Sequence, residues 1–356
     1  MAGLAIHRVT KQFGDHRAVD DLSLEIAPGE FVALLGPSGC GKTTMLRMLA
    51  GFEQISSGTL TLNGTLLASD QHHVPPEQRN MAMVFQSYAL WPHMSVADNV
   101  GYPLKLRRIQ GSEYQRRVAH ALEQVALTPY AQRAPQELSG GQRQRVALAR
   151  CLVTDPDVVL LDEPLANLDR NLRASMEHSF VDFHRRTQAT MVYVTHDQSE
   201  AMAMADRIAV MRDGALVQWA TPETLYREPR SEWVARFIGQ GSQLKVAGGA
   251  PGQRLSESAL MQGLAAPPTM RTQPVLVRPE HIHIEAHSPA PPPAQSPNSH
   301  DLTGRVERLT FRGERYELHL RLSTGEALLA YHHTALNEGQ HVAVRLLEGW
   351  CLEPDQ

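Results

Sequence analysis

The stretch Phe31-Val-Ala-Leu-Leu-Gly-Pro-Ser-Gly-Cys-Gly-Lys-Thr-Thr44 decides the fold of this chain. Its first five residues form a continuous apolar run, which is typical of a strand buried on both faces of a parallel sheet. The rest matches the pattern G-x-x-x-x-G-K-[ST], in which a glycine-rich loop joins such a strand to the first turn of a helix. The following Met45-Leu-Arg-Met-Leu49 suits that helix. We therefore predict a phosphate-binding loop at residues 36–44.

Each residue type in this phosphate loop has a chemical reason. Glycines let the backbone bend so that successive N–H groups point at phosphate oxygens, and the helix start adds the positive end of its dipole. We expect Lys42 to reach the β and γ phosphates and Thr43 to hold Mg²⁺. The predicted nucleotide contacts are Gly36, Pro37, Ser38, Gly39, Cys40, Gly41, Lys42, Thr43 and Thr44. The helix start should also favour the thiolate of Cys40, so alkylation there should block ATP binding.

A second apolar run, Val158-Val-Leu-Leu161, ends in the paired carboxylates Asp162 and Glu163. Asp162 is expected to hold the metal, through water, and Glu163 to orient and deprotonate the attacking water. Alone, this pattern could equally be a strand that runs into an acidic turn. Together with the lysine of the phosphate loop it indicates nucleotide hydrolysis.

A third motif, Leu138-Ser-Gly-Gly-Gln142, precedes a helical stretch. A helix cap explains Ser139 alone, but not a second anion-binding corner on a chain with one lysine loop. With this motif the sequence resembles the ABC ATPase family, over roughly residues 4–240. In that family two subunits pack head to tail. The resemblance implies that Ser139, Gly140, Gly141 and Gln142 of one subunit close on ATP held by Lys42 of the other.

The same resemblance implies roles for four further residues. Phe13 matches the aromatic residue that stacks on adenine, with a core phenylalanine as the alternative. Gln86 matches the glutamine that touches Mg²⁺ or the attacking water, and Asp169 the aspartate of the loop that crosses the dimer interface. His196 matches the switch histidine that contacts the γ phosphate. Ala166 stands where many relatives have serine, so a hydrogen bond from that side chain is absent here.

The predicted fold class is α/β. A P-loop nucleotide-binding domain over residues 4–238, with a helical insertion at about 88–150, precedes a small all-β, OB-like domain over 242–353. Strict alternation at residues 316–322 predicts half-exposed strands in this second domain. The proline-rich segment at about 287–299 is expected to be a flexible loop.

The composition of the chain argues against several classes of function. A formal net charge of −4 argues against nucleic acid as a partner, since such proteins normally carry a basic surface. The three cysteines form neither a disulfide framework nor a zinc spacing, which suits a reducing cytosol. We see no signal peptide pattern, and no apolar run approaches the ~20 residues of a membrane span. A membrane role would therefore need a membrane-embedded partner.

The second domain indicates to which branch of the ABC ATPase family the chain is similar. Val277-Arg-Pro-Glu-His-Ile282 and the strands after it resemble the regulatory domain of importer ATPases for sugars, polyamines, sulfate, ferric iron and phosphonates. This resemblance implies a homodimer, or a paired ATPase subunit, that binds a membrane permease at the cytoplasmic face of the inner membrane. A solute-binding protein would take part indirectly. Residues 86–95 and 193–201 favour ferric iron mildly, with polyamine, phosphonate or sugar as alternatives.

Two other functional classes of protein fit the sequence less well. A soluble ABC ATPase acting on ribosomes, DNA or iron–sulfur assembly usually carries a second cassette, a long coiled coil or a basic surface, and none is visible. A regulatory module without hydrolysis conflicts with the complete set of Lys42, Asp162, Glu163 and His196. A metal site at His281-Ile-His-Ile-Glu285 is conceivable, because a strand would place these side chains on one face. We favour a half-exposed strand there.

Overall fold

The computed structural model describes residues 3–85, 89–166, 168–286 and 302–355. The chain divides into two compact units, Met1–Pro222 and Glu223–Gln356. The strands of the first unit are β1 (Leu4–Phe13), β2 (His16–Ile26), β3 (Phe31–Leu35), β4 (Ser57–Leu62), β5 (Thr65–Ala68), β6 (Met81–Val84), β7 (Val158–Asp162), β8 (Thr190–Thr195), β9 (Arg207–Arg212) and β10 (Ala215–Ala220). Its helices are α1 (Lys42–Ala50), α2 (Val96–Leu106), α3 (Gly111–Gln124), α4 (Gly140–Leu152), α5 (Arg170–Thr187) and α6 (Gln198–Met204).

The centre of the first unit is a six-stranded sheet in the order β10-β9-β3-β8-β7-β6. All neighbouring pairs are parallel except β9 and β10. Strand β7 shows why its run is apolar throughout: Val158 and Leu160 pack into one core, and Val159 and Leu161 into the other. Such a strand has no solvent face, as the sequence predicted. A separate antiparallel sheet has the order β2-β1-β4-β5.

Helices α2, α3 and α4 fall inside the predicted helical insertion. Their apolar residues, among them Leu104, Val118 and Val146, join the core on one side of the central sheet. Ser95 caps α2 by accepting a hydrogen bond from the Asp98 N–H at 3.0 Å. The chain around the first position of this insertion lies outside the described residues.

A buried arginine closes the far end of α1. Arg79 is 1% exposed and donates to the carbonyl oxygens of Met48 at 2.6 Å and Leu49 at 2.9 Å. The last carbonyls of a helix lack partners within it and carry the negative end of the dipole, so a cation is favourable there. Burial lowers the pKa of the Arg79 guanidinium, which nevertheless stays charged. The helix that begins at the phosphate loop is thus fixed at its other end.

The second unit is β-rich. Its strands are β11 (Ser242–Val246), β12 (Arg254–Ser256), β13 (Gln273–Val277), β14 (Ile282–Ala286), β15 (Leu302–Phe311), β16 (Tyr316–Leu322), β17 (Ala327–His332), β18 (His341–Leu346) and β19 (Glu348–Cys351). They form two sheets, β11-β13-β19-β12 and β14-β18-β15-β16-β17, around one core. Helix α7 (Pro222–Arg227) begins at the division between the units, and α8 (Glu232–Phe237) and α9 (Glu257–Ala265) complete the second unit. The strand predicted at 316–322 is β16, and its apolar residues alternate as expected.

The division into units falls earlier than the predicted boundary at 238–242. Ala235 of α8 packs against Leu276 and Leu352. The buried guanidinium of Arg278 also donates to the carbonyl oxygens of Ile238 at 2.9 Å and Gln240 at 2.8 Å. Residues 223–241 are therefore fastened to the β-rich unit. The domain limits 4–238 and 242–353 remain predictions.

Three further predictions concern the proline-rich segment, the residues around His281 and membrane spans. The proline-rich segment 287–299 lies outside the described residues. His281 belongs to a short 3₁₀ turn before β14, so it does not share a strand face with His283 and Glu285. Within the described residues, none of the helices has both the length and the apolar character that a membrane span requires.

Candidate nucleotide site

The predicted site residues gather at one edge of the central sheet. The phosphate loop follows β3, Asp162 ends β7, and His196 follows β8. These three strands are parallel neighbours in the order β3-β8-β7, so their carboxyl ends share an edge. In open α/β sheets this edge is where ligands bind.

The phosphate loop has the geometry of an anion cradle. Gly41 has φ 100°, and a Cβ there would collide with the carbonyl oxygen of Ala18, so only glycine fits. Lys42 is 5% exposed, and its Nζ donates to the carbonyl oxygens of Gly36 at 2.7 Å and Pro37 at 2.9 Å. Among the described residues, no carboxylate lies within ion-pair distance of this ammonium group. A buried cation without a counter-ion is costly, which fits a site built for a phosphate.

The oxygens of Thr43 and Asp162 meet beside the loop. Thr43 Oγ1 donates to Asp162 Oδ1 at 3.4 Å. Burial raises the pKa of the Asp162 carboxyl, and the nearby charge of Glu163 raises it further. A hydroxyl and a carboxylate are the oxygen ligands that Mg²⁺ takes in nucleotide sites, usually with retained waters. The pair therefore fits the metal that the sequence predicted here.

Glu163 and His196 face each other at the same edge. Glu163 has φ 42°, in the left-handed region that is uncommon for residues other than glycine, and its N–H donates to the Val194 carbonyl oxygen at 3.1 Å. Its Oε2 lies 3.3 Å from His196 Nδ1. The Glu163 side chain is 27% exposed and that of His196 56%. Both groups can therefore reach a ligand that lies over the sheet edge.

The 138–142 motif forms a capped helix start. Ser139 Oγ accepts from the Gln142 N–H at 3.3 Å, and Gln142 Oε1 accepts from the Ser139 N–H at 2.9 Å. This reciprocal pair is a capping box. Within the described parts of the chain, no hydrogen bond joins these residues to residues 36–44. Within one subunit, the two anion corners are thus not joined by a hydrogen bond among the described residues.

The sequence also singled out Phe13, Asp169, Gln86 and Ala166. Phe13, at the end of β1, is 46% exposed, and Lys11 Nζ lies 4.6 Å from its ring centroid, so this is no core phenylalanine. Asp169 Oδ1 accepts from the Asn171 N–H at 3.0 Å at the start of α5. Gln86 lies outside the described residues. Ala166 follows Glu163 closely, with its N–H donating to the Glu163 carbonyl oxygen at 3.3 Å.

The expectation of a thiolate at Cys40 is wrong. Cys40 is 3% exposed, and burial raises the pKa of its thiol above the ordinary value. The charge of Lys42 acts in the opposite direction but is the smaller cause. The helix start was the correct position, but the sequence could not show that the side chain turns into the core. Cys40 is therefore a poor target for alkylation in the folded protein.

Sequence reasoning missed a charged cluster directly behind His196. Arg173 of α5 contacts Asp197 and Glu200, and Glu200 is 3% exposed. The sequence carried one signal. Two acidic residues, Asp197 and Glu200, closely follow the predicted switch histidine, and a cation from elsewhere in the chain is expected beside them because a buried carboxylate is seldom left unpaired.

Comparisons with known proteins identify the family of this chain. The family description "ABC transporter" matches residues 19–166, and "TOBE domain" matches residues 275–352. A spermidine/putrescine import ATP-binding protein of Nitratidesulfovibrio vulgaris is 40% identical over 98% of this chain and 96% of its own length. A trehalose/maltose import ATP-binding protein of Thermococcus litoralis is 52% identical over 67% of this chain and 65% of its own.

Among solved structures, a dimeric ATP-binding cassette in a post-hydrolysis state with bound ADP and Pi is similar to this chain. It is 29% identical, with a TM-score of 0.52, over 62% of this chain and 98% of that one. The protein belongs to the family of ATP-binding subunits of ABC importers. It is an ATPase that binds ATP and Mg²⁺, as the sequence predicted, and the predicted fold class is confirmed.

Proposed function

We propose that this chain is the ATPase of a polyamine importer and that it works as a homodimer bound to a membrane permease. Each ATP would lie between the phosphate loop of one subunit and Ser139, Gly140, Gly141 and Gln142 of the other. Such a complex would place the chain at the cytoplasmic face of the inner membrane. The observation that carries the ATPase part is the convergence of Lys42, Asp162 and His196 at one sheet edge.

Each residue of the site has a proposed role in ATP binding or hydrolysis. Lys42 holds the β and γ phosphates, and the glycine-rich loop offers backbone N–H groups to them. Thr43 and Asp162 would hold Mg²⁺, which would supply positive charge against the negative charge that develops on the phosphates. Glu163 accepts the proton of the attacking water, and His196, 3.3 Å from Glu163, contacts the γ phosphate. Gln86 would complete the metal or water contacts, Phe13 would stack on the adenine, and Asp169 would contact the partner.

The helix start at Ser139 supports the dimer. It offers backbone N–H groups at the positive end of α4, and no hydrogen bond among the described residues joins residues 139–142 to the phosphate loop of the same subunit. A symmetric head-to-tail dimer would give each such corner an ATP held by the partner. The dimeric state of the similar cassette with bound ADP and Pi is consistent with this arrangement.

The substrate part rests on the relatives. Several proteins that match over most of both chains are named as spermidine/putrescine import proteins. One named for trehalose/maltose and one named for glycerol phosphate match over about two thirds. Polyamine therefore replaces the mild lean to ferric iron that residues 86–95 and 193–201 suggested. The permease and a solute-binding protein would select the polyamine, so no residue of this chain needs to touch it.

The catalytic part is tested with Glu163→Gln. Loss of a general base usually lowers turnover ~10²–10⁴-fold. ATP binding should persist, because Lys42 and the loop remain. The variant should elute as a dimer in ATP and as a monomer in ADP on size-exclusion chromatography. Glu123→Gln on the exposed face of α3 is the matched control. Near-normal turnover would remove Glu163 from the role of base.

The substrate part is tested by uptake. Cells that lack this chain should lose uptake of labelled spermidine or putrescine and regain it with the intact chain but not with Glu163→Gln. Loss of ferric iron uptake instead, with polyamine uptake intact, would contradict the substrate while leaving the ATPase assignment in place.

A further inference from the structure

One arginine joins two loops of the nucleotide site. Arg173, on the first turn of α5, donates from Nη1 to Asp197 Oδ2 at 3.0 Å and from Nη2 to the Leu168 carbonyl oxygen at 3.3 Å. Its Nε lies 3.5 Å from Glu200 Oε1. Leu168 precedes Asp169, and Asp197 follows His196. We name Arg173, Leu168, Asp197 and Glu200 together the Arg173 bridge.

The His196 side of the bridge is tightly held. Glu200 is 3% exposed, and its Oε2 accepts from Tyr193 Oη and Thr195 Oγ1, each at 2.7 Å. Thr195 Oγ1 in turn accepts from the Asp197 N–H at 2.9 Å. Asp197 also caps α6, with Oδ1 accepting from the Ser199 N–H at 2.8 Å. Both neighbours of His196 in the chain, Thr195 and Asp197, are thus held by hydrogen bonds. These contacts fix the backbone position from which the imidazole projects.

On the Leu168 side, Arg173 contacts the backbone carbonyl oxygen and not a side chain. A guanidinium group is planar and rigid, so a shift of Leu168 changes the direction in which the group meets Asp197. A space of only about 10 Å³ separates the bridge from Glu163 and His196, and Ala166 lines it. That volume holds at most one water, so the bridge, Glu163 and His196 are close neighbours around it.

We propose that Arg173 is a positioning residue that couples the segment carrying Asp169 to His196. Contact of Asp169 with the partner subunit would fix the position of Leu168. Arg173 would then orient Asp197, and with it the imidazole of His196. Hydrolysis would then require a correctly seated partner as well as bound ATP. This inference rests on the proposed roles of Asp169 and His196.

The test is a double-mutant cycle on the full chain with Arg173→Gln, His196→Ala and both together. Arg173→Gln should lower kcat about 10- to 100-fold, the range expected from small misplacement of a catalytic group, with KM for ATP within about twofold. In the His196→Ala background it should lower kcat no further. Arg185→Gln, an exposed arginine on the same helix, is the matched control and should change neither constant.

Arg173→Lys separates coupling from folding. It keeps a cation for Glu200, so the melting temperature should return towards that of the unaltered chain, but one ammonium group cannot replace the two-sided fork. Its kcat should therefore stay low. A kcat fully restored by lysine would overturn the coupling, and so would an Arg173→Gln loss that adds in full to that of His196→Ala. Near-normal turnover of His196→Ala alone would instead contradict the proposed role of His196, and the inference with it.

Discussion

The starts of α1 and α4 are both anion-binding corners made of glycines and a hydroxyl residue, yet they are built in opposite ways. Helix α1 has no side-chain cap: Gly41 stands at the cap position, and a buried Lys42 follows it. Helix α4 is closed by Ser139 and Gln142, and Arg143 of its first turn donates to the Leu138 carbonyl oxygen at 2.7 Å. No side-chain cap occupies the backbone donors of the first corner, whereas side chains of the second corner satisfy part of its own backbone. Affinity for ATP should therefore reside at α1, and control of hydrolysis at α4.

The largest effect is expected from Lys42→Met. It should lower kcat/KM by about 10³-fold, in the range for loss of a preorganised charged donor. Stability without nucleotide should not fall and should rise slightly, because a buried charge without a counter-ion disappears. Nucleotide titration and thermal melts check both parts, with Lys245→Met of β11 as the control. A lower melting temperature would mean that Lys42 is structurally required.

Ser139→Ala should have the next largest effect, in turnover and not in ATP affinity. The hydroxyl O–H can still donate while its oxygen caps the helix, and losing such a donor costs about 10²-fold in kcat. Ser95→Ala at the start of α2 removes a similar cap and should cost a similar ~1 kcal/mol of stability without that loss of turnover.

Mixing Ser139→Ala with Lys42→Met sharpens this prediction. If each site uses the two corners of opposite subunits, half of the sites in mixed dimers are intact, so an equal mixture should regain about a quarter of full activity. A mixture as inactive as its components would contradict a site shared between subunits.

The smallest effect is expected from Gln142→Ala. It removes the acceptor for the Ser139 N–H but leaves the serine cap, so the helix should lose about 0.5–1 kcal/mol. Turnover should change by only a few-fold, because the serine hydroxyl and the glycine N–H groups remain. A loss as large as that of Ser139→Ala would show that the glutamine side chain itself contacts the nucleotide.

The sequence was informative where a motif adjoins a strand. Lys42, Asp162 and His196 each follow an apolar run, and parallel strands bring their carboxyl ends to one edge, so the arrangement could be predicted before the structure. The Arg173 bridge could not, because its groups come from three segments whose packing decides which charges meet. The Cys40 prediction failed for a related reason: the helix start is local, but burial of the thiol depends on the whole core.

The fastening of residues 223–241 by Arg278 bears on how these proteins can be recombined. Exchange of regulatory domains between relatives is tolerated where a junction cuts few contacts. A junction near Gly241 would follow the boundary predicted from the sequence. It would separate Ile238 and Gln240 from the guanidinium group of Arg278, and Ala235 from its apolar neighbours. Chimeras joined between Pro222 and Glu223 keep these groups in one parental piece. The stretch that looks like a tether is thus inherited as part of the domain that follows it.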